Sequence, residues 1–461
     1  MEGGNMKKWL LFFLVLPLVQ GCLGGAQKRA IYPVALPEQL ATPTPALKIT
    51  GSLLEMVEDE MAQKLVREAV ANNPDLRATA LRLKSAGLLL ARTGRARLPQ
   101  LNGGYTGTRR NPGVEADSAG EHRLSLALSW ELDLWGRLSD AHHAARAEFR
   151  AGELDWERAL DSLGARVLQT YFRVKGNQLR LKAQEDRVAI FKNIEQTVLE
   201  RYRAGLGRLD DLSSARSRTE TARAQRAQAR EERDRSLRDL EVLLGRYPGL
   251  GLALKPAGDL PRVALPAAMA PAGILSHRPD VQAAWARVQS ADHGASAQKK
   301  ARLPGITLTG NIFRDNAQFA KLGAASTVWN LSGGLLLPLF DGGRLRAESR
   351  AANARAQAAY MDYTSVVLGA MKEAENTFAR EAALAERQTH LEQALVQAGL
   401  SSRYYESAYG EGVSDILALN TAREQELSLV FSLIDLRVAR LVNRVDMALA
   451  LGTCATLRNE I

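Results

Sequence analysis

Hydrophobic and polar positions along the chain change period in the same way at two places. Leu124, Leu126, Leu128, Trp130 and Leu132 alternate with Ser125, Ala127, Ser129 and Glu131. A period of two predicts a strand with one apolar and one polar face. Past Gly136-Arg137 the spacing becomes helical and stays so for about 65 residues. The same switch recurs at Leu331–Leu345, where Gly343-Arg344-Leu345 lies 207 residues after Gly136-Arg137-Leu138. The chain therefore reads as an internal tandem repeat.

The first copy is read over 53–245. A helix is expected over 53–70 from Leu54, Val57, Met61, Leu65 and Val66 on one side. A second runs from Asn73-Pro-Asp-Leu76 to about Arg97 and stops at Leu98-Pro99. Strands follow at about 101–110 and 123–133, then a long helix over 138–203, a glycine turn, and a return helix over 209–245. Leu160, Val167, Val174, Leu181 and Val188 recur every seven residues in the long helix, which implies left-handed supercoiling against its neighbours. Residues 246–276 carry Pro248, Pro256, Pro261, Pro266 and Pro271, too many for a continuous helix or interior strand, and read as a proline-rich equatorial connector. The second copy, 277–452, opens at Arg278-Pro-Asp-Val281. It repeats the plan with strands at about 306–313 and 328–340, a long helix over 345–409, a return helix over 414–452 and a C-terminal tail over 453–461.

Element lengths constrain the architecture. A helix of about 65 residues spans roughly 97 Å, and the short helices of about 37 and 26 residues together span about 94 Å, so they can stack beside the long one. Strands of about ten residues suit a tilted membrane crossing. Leu124, Leu126, Leu128, Trp130 and Leu132 would then face lipid, and Ser125, Ser129 and Glu131 a wet interior. Tyr105, Trp130, Trp135 and Trp329 suit the membrane interfaces. Four strands cannot close a barrel, and hydrocarbon does not tolerate open edges. Two copies give a barrel nearly filled by side chains, whereas three give about twelve strands and a lumen. The fold class is read as mainly α with a membrane β-barrel, four strands per protomer, in a trimer.

Composition adds little: 46% hydrophobic and 24% charged residues are ordinary for a folded chain. The net charge of +10 resides in arginines at helical spacings among glutamates, as in Ala215–Asp239, which reads as solvated helix faces and no nucleic-acid partner. Cys22 and Cys454 make no disulfide framework. Lys7-Lys8 and the apolar run Trp9–Val19 read as a signal peptide over 1–21, with Met6 a better start than Met1. Val19-Gln-Gly-Cys22 resembles a bacterial lipoprotein signal, with Cys22 the acylated residue and 22–52 a lipidated, proline-rich tether. Leu23, rather than aspartate, in such lipoproteins points away from inner-membrane retention. No metal-ligand spacing, phosphate-cradling loop or nucleophile motif is present, so no metal, cofactor or catalytic site is implied and no enzyme is expected. His142-His143 is expected to be solvent-exposed.

Taken together, the lipid signal, the tether, Asn-Pro-Asp-Leu76, Arg97-Leu-Pro99, Glu-Leu-Asp-Leu-Trp-Gly-Arg-Leu138, Leu-Pro-Leu-Phe-Asp-Gly-Gly-Arg-Leu345 and the Tyr-x-x-Gly turns at Tyr202 and Tyr409 resemble an outer-membrane efflux lipoprotein of the TolC/OprM (NodT) type. The resemblance implies a homotrimeric channel-tunnel: a twelve-stranded β-barrel in the Gram-negative outer membrane on a long α-helical barrel in the periplasm. It further implies a periplasmic adaptor (membrane fusion) protein and a proton-driven inner-membrane pump as partners, with passive export of drugs, metals or other small solutes. Two alternatives stay open: the outlet of a type I protein secretion system, and a coiled-coil structural lipoprotein with no pore, which the interrupting strands disfavour.

In such proteins acidic and bulky residues after each helix-turn glycine close the periplasmic tip. Asp211 and Asp415 are the acids available here, while Ala418 and Thr421 stand where several members carry aspartate. Arg208 and Asp415 are repeat equivalents, 207 residues apart, and are expected to contribute to an ionic latch within or between protomers. Gly205-Leu206 and Gly412-Val413 are the expected adaptor contacts, unless the glycines serve only as turn residues.

Overall fold

The computed structural model describes residues 29–31, 33, 35–41, 54–110, 119–252, 254, 258–266 and 269–453. The expected signal peptide, Cys22, most of the expected tether and Cys454 lie outside the described residues. In chain order the elements are α1 (Glu60–Asn72), α2 (Pro74–Arg95), β1 (Gln100–Arg110), β2 (Ala119–Leu132), α3 (Arg137–Arg203), α4 (Leu209–Leu243), α5 (Pro271–His277), α6 (Pro279–Lys300), β3 (Gly305–Asn316), a 3-10 turn (Phe319–Ala324), β4 (Val328–Leu336), α7 (Arg344–Gly410) and α8 (Ile416–Leu451).

Several boundaries differ from the sequence reading, each for a local reason. The first helix starts at Glu60, not 53, because Asp59 caps it by accepting from the Met61 and Ala62 amides; Val57 instead bridges to Val263. The strand expected over 328–340 ends at Leu336, whose partner Gly305 is the first residue of β3, and Pro338 follows with no N–H to give. The proline-rich connector contains a helix, α5, which Pro271 opens at a position where its missing N–H costs nothing. The return helix expected over 414–452 begins at Ile416 because Asp415 caps it.

The described chain divides into two compact units. One comprises residues up to Ala35, Leu81–Leu154 and Asp280–Val366. It holds a single antiparallel sheet in the order β1-β2-β3-β4. Leu124 lies across from Tyr105 and Arg314, Leu126 from Gly103 and Ile312, Leu128 from Leu101 and Gly310, and Trp130 from Leu308. Trp329 and Leu331 continue those rows on β4. Residues directly opposite share a face, so one side of the sheet is almost wholly apolar. The other side carries Ser125, Ser129, Asn311, Asn330 and a Thr309–Ser332 hydroxyl pair at 2.8 Å. Nothing among the described residues covers the apolar side: Leu126 is 48% exposed, Leu331 60% and Trp329 71%.

Each strand-to-helix corner is pinned by an aspartate. Asp133 accepts from the Leu138 amide at 2.9 Å and from the Ser139 amide and hydroxyl at 2.7 Å each. Asp341 accepts from the amides of Gly343 and Leu345 at 2.9 Å. Burial works to raise the Asp133 carboxyl, but these bonds and nearby Arg97 outweigh it and hold its pKa below the usual value. Trp130 and Trp135 fasten the sheet at the same end by donating to the carbonyls of Arg97 and Pro304.

The second unit comprises Leu36–Ala80, Asp155–Pro279 and Val367–Ile461. Its main core joins α1, the middle of α3 and the ends of α4 and α8: Leu65, Leu160, Val167, Phe172, Val174, Leu240 and Val445 are all buried. Four of the five heptad positions, Leu160 through Leu181, are buried, as their spacing requires. Glu241, 2% exposed, orders the connector by accepting from the amides of Gly249, Gly251 and Leu252. Each copy closes on a left-handed glycine pressed against the start of that same copy. A Cβ on Gly245 (φ 73°) would lie 2.6 Å from the Asn72 carbonyl oxygen, and one on Gly452 (φ 72°) 2.9 Å from that of His277. Gly205 (φ 76°) has open space instead. Gly245→Ala and Gly452→Ala should therefore each destabilise by about 2–4 kcal/mol, against about 1 kcal/mol for Gly205→Ala. Thermal unfolding of the three variants, followed by circular dichroism, checks that ranking.

Candidate functional site

The sequence marks two places where function is expected, the sheet and the two helix-turn-helix tips. At the first tip α3 ends at Arg203, Gly205 supplies the left-handed turn, and the Leu206 amide returns to the Arg201 carbonyl. At the second, α7 ends at Gly410, Gly412 takes φ 77°, and the Val413 amide returns to the Ala408 carbonyl. The two turns are thus built alike. Both leave an apolar side chain in solvent at the apex, Leu206 and Val413 at 76% exposure each.

The charges are arranged differently from the latch expected between Arg208 and Asp415. Arg208 donates from Nε to Asp210 at 3.0 Å and is largely exposed. Asp415 spends its carboxylate on its own helix, where Oδ1 accepts from the Ala418 amide at 2.7 Å. Within one chain the two are not brought together. Asp210 and Asp211 sit in the first turn of α4, where the helix dipole favours negative charge.

What joins the two tips is a pair that sequence reasoning missed. Arg201 donates from Nη1 to the Tyr409 carbonyl, and its guanidinium lies 4.8 Å from the centre of the Tyr409 ring. Tyr409 is buried against Phe191, Ile194, Val198, Leu212 and Ile416. Burial, with Asp211 adding to it, pushes the Tyr409 phenol up, although Arg201 opposes the shift. A Cβ on Gly412 would approach the Arg201 guanidinium to 3.1 Å, so the glycine also clears space for the arginine. Tyr409 was visible in sequence as the repeat equivalent of Tyr202, but no spacing rule links it to Arg201.

Farther along the same helices, Arg187 of α3 reaches α8 through Glu424 at 2.6 Å and 2.7 Å, and Arg180 reaches Asp435 at 2.9 Å. No group of His, Cys, Asp and Glu among the described residues is arranged to hold a metal ion. No described helix is long and apolar enough to cross a membrane.

A family model for outer membrane efflux proteins matches residues 65–246 and again 271–453. The cation efflux system protein CusC of Escherichia coli O6:H1 is 29% identical over 399 residues, covering 86% of each chain. The probable outer membrane lipoprotein SilC of Salmonella typhimurium is 27% identical, covering 97% of this chain and 98% of its own. Among solved structures, the outer-membrane channel OprN superimposes with a TM-score of 0.85 at 26% identity, covering 94% of this chain and 99% of that one.

Losing the Arg201 clasp removes one hydrogen bond and a cation–π contact, together worth about 1.4 kcal/mol, or about tenfold in local opening. Arg201→Ala should therefore speed amide exchange at 408–413 by about tenfold, while Arg208→Ala leaves it unchanged. Hydrogen-exchange mass spectrometry of the two variants decides between them.

Proposed function

The chain belongs to the outer membrane efflux protein family and is an outer-membrane efflux channel; from that premise we propose that it works as a homotrimer, lipid-anchored at Cys22, serving as exit duct for a periplasmic adaptor and an inner-membrane pump. The observation that carries the trimer is the sheet. Among the described residues its outer strands β1 and β4 pair on one side only, and its apolar face is uncovered. Such a sheet is stable in hydrocarbon only if its edges are closed by other copies. Three copies give about twelve strands, wide enough for a lumen lined by the Ser125 and Asn311 face. SilC, whose name calls it a probable outer membrane lipoprotein, supports acylation of Cys22 by similarity.

At the tips, the proposal assigns Leu206 and Val413, with Gly205 and Gly412 beneath them, to adaptor contact. Exposed apolar side chains on a rigid turn are what a partner helix can bury. Arg208, Asp211 and Asp415 are proposed to hold the closed tip. Since Arg208 and Asp415 already have partners in their own chain, a latch between them would form across protomers and be worth only about 0–1 kcal/mol per pair. Opening would then come from a docked partner that shifts several such contacts at once. The exported solutes are small, and their selection resides in the pump.

The purified full-length protein should run as a heat-dissociable trimer and conduct ions in planar bilayers; a monomer without conductance would exclude this function. Val413→Asp together with Leu206→Asp should weaken adaptor cross-linking by about tenfold or more, since each buried side chain contributes about 1.5–3 kcal/mol, and should leave the trimer intact. Asp415→Ala should raise the closed-state leak, and an unchanged leak counts against the latch.

A further inference from the structure

Within the sheet-bearing unit, α3, α6 and the described N-terminal residues line an open-sided cavity of about 670 Å³. One face of α3 contributes His143, Arg146 and Arg150, and the facing side of α6 contributes Trp285, Gln289 and His293. Arg29 and Asp292 close one side and neutralise each other. Arg29 donates three hydrogen bonds of 2.9–3.1 Å to the Asp292 carboxylate, and both side chains are only 9% exposed.

That pairing consumes the only carboxylate among the described residues of the cavity wall. Arg150 shares Glu153, at 3.0 Å, from outside the cavity. Arg146 has no carboxylate within ion-pairing distance among the described residues. His143 and His293 lie ring against ring at 5.3 Å. The positive field reaches beyond the cavity. His142, half-buried rather than exposed as the sequence suggested, has its pKa lowered by burial first and then by Arg97, His143 and Arg146.

We propose that this cavity binds a phosphate-bearing anion, held by Arg146 and Arg150 and flanked by Trp285, and that anionic phospholipid headgroups are its natural source. Two guanidiniums one helical turn apart suit bidentate phosphate recognition. The choice of source follows from location and rests on the outer-membrane reading above. His143 and Arg150 lie six and thirteen residues past the start of α3, roughly 9 and 20 Å along the helix from the base of the sheet. Arg29 lies seven positions after Cys22, a reach of at most about 25 Å from an acyl anchor. Both measures put the cavity beside the periplasmic leaflet, where a basic pocket meets lipid phosphates.

The test uses the intact assembly. Thermal unfolding of wild type and of Arg146→Gln/Arg150→Gln is followed with added phosphatidylglycerol, phosphatidylcholine or inorganic phosphate. Phosphatidylglycerol should stabilise wild type and phosphatidylcholine should not, and the double variant should need about tenfold more phosphatidylglycerol for the same shift. If the double variant does not assemble, Gln289→Glu, which keeps both arginines and adds one negative charge to the cavity wall, should show the same weakening. Equal stabilisation of wild type by inorganic phosphate, lost in the variants, keeps the phosphate site and assigns it to a soluble anion. Equal responses of wild type and variants, or a neighbouring protomer's carboxylate seated on Arg146, overturn the proposal. Bilayer conductance measured on the same samples separates its failure from failure of the channel reading.

Discussion

An open sheet edge in hydrocarbon is the constraint on which the rest depends. A backbone N–H or C=O left unsatisfied there costs several kcal/mol, and a strand presents a whole row of them. The outer edges of β1 and β4 are such rows, and the sheet's outer face of Leu124, Leu126, Trp329 and Leu331 has no cover among the described residues of its own chain. The second unit is different. Its core around Leu160, Val167, Phe172 and Leu240 is complete within one protomer. One part of the molecule is therefore finished by folding, and the other only by assembly.

Duplication meets each local problem twice, and the solutions are similar without being identical. Both strand-to-helix corners need an acceptor for the first free amides of a 67-residue helix. Asp133 serves one and Asp341 the other, displaced by one residue relative to the glycines that follow. Both copies end on a left-handed glycine because the opening backbone of the same copy occupies the space a side chain would take. The tips diverge most. Asp415 caps α8, while the equivalent Arg208 cannot cap α4 and turns to Asp210 instead.

Much of this was legible in the sequence, for physical reasons. The alternation of Leu124–Leu132 exposes a two-faced strand because the pleat has period two, and the register confirms which residues share a face. Long helices show themselves through sustained apolar spacing. The missed features depend on contacts distant in sequence. The end of β4 is set by where β3 begins, and the clasp of Arg201 on Tyr409 spans 208 residues. The half-burial of His142 comes from Thr93 and Gly94 packing over it, which no local pattern announces. The N-cap role of Asp415, whose Oδ1 accepts from the Ala418 amide, was not read from the sequence either.

The buried carboxylate of Glu241 gives the proline-rich segment an unexpected property. Its two oxygens collect three amides from Gly249, Gly251 and Leu252, and the Arg246 guanidinium lies near enough to interact with its charge. Adding or deleting a single residue there would pull an amide away and leave a buried carboxylate oxygen short of a donor, a penalty ordinary surface loops escape. What looks like slack in the chain is thus length-locked.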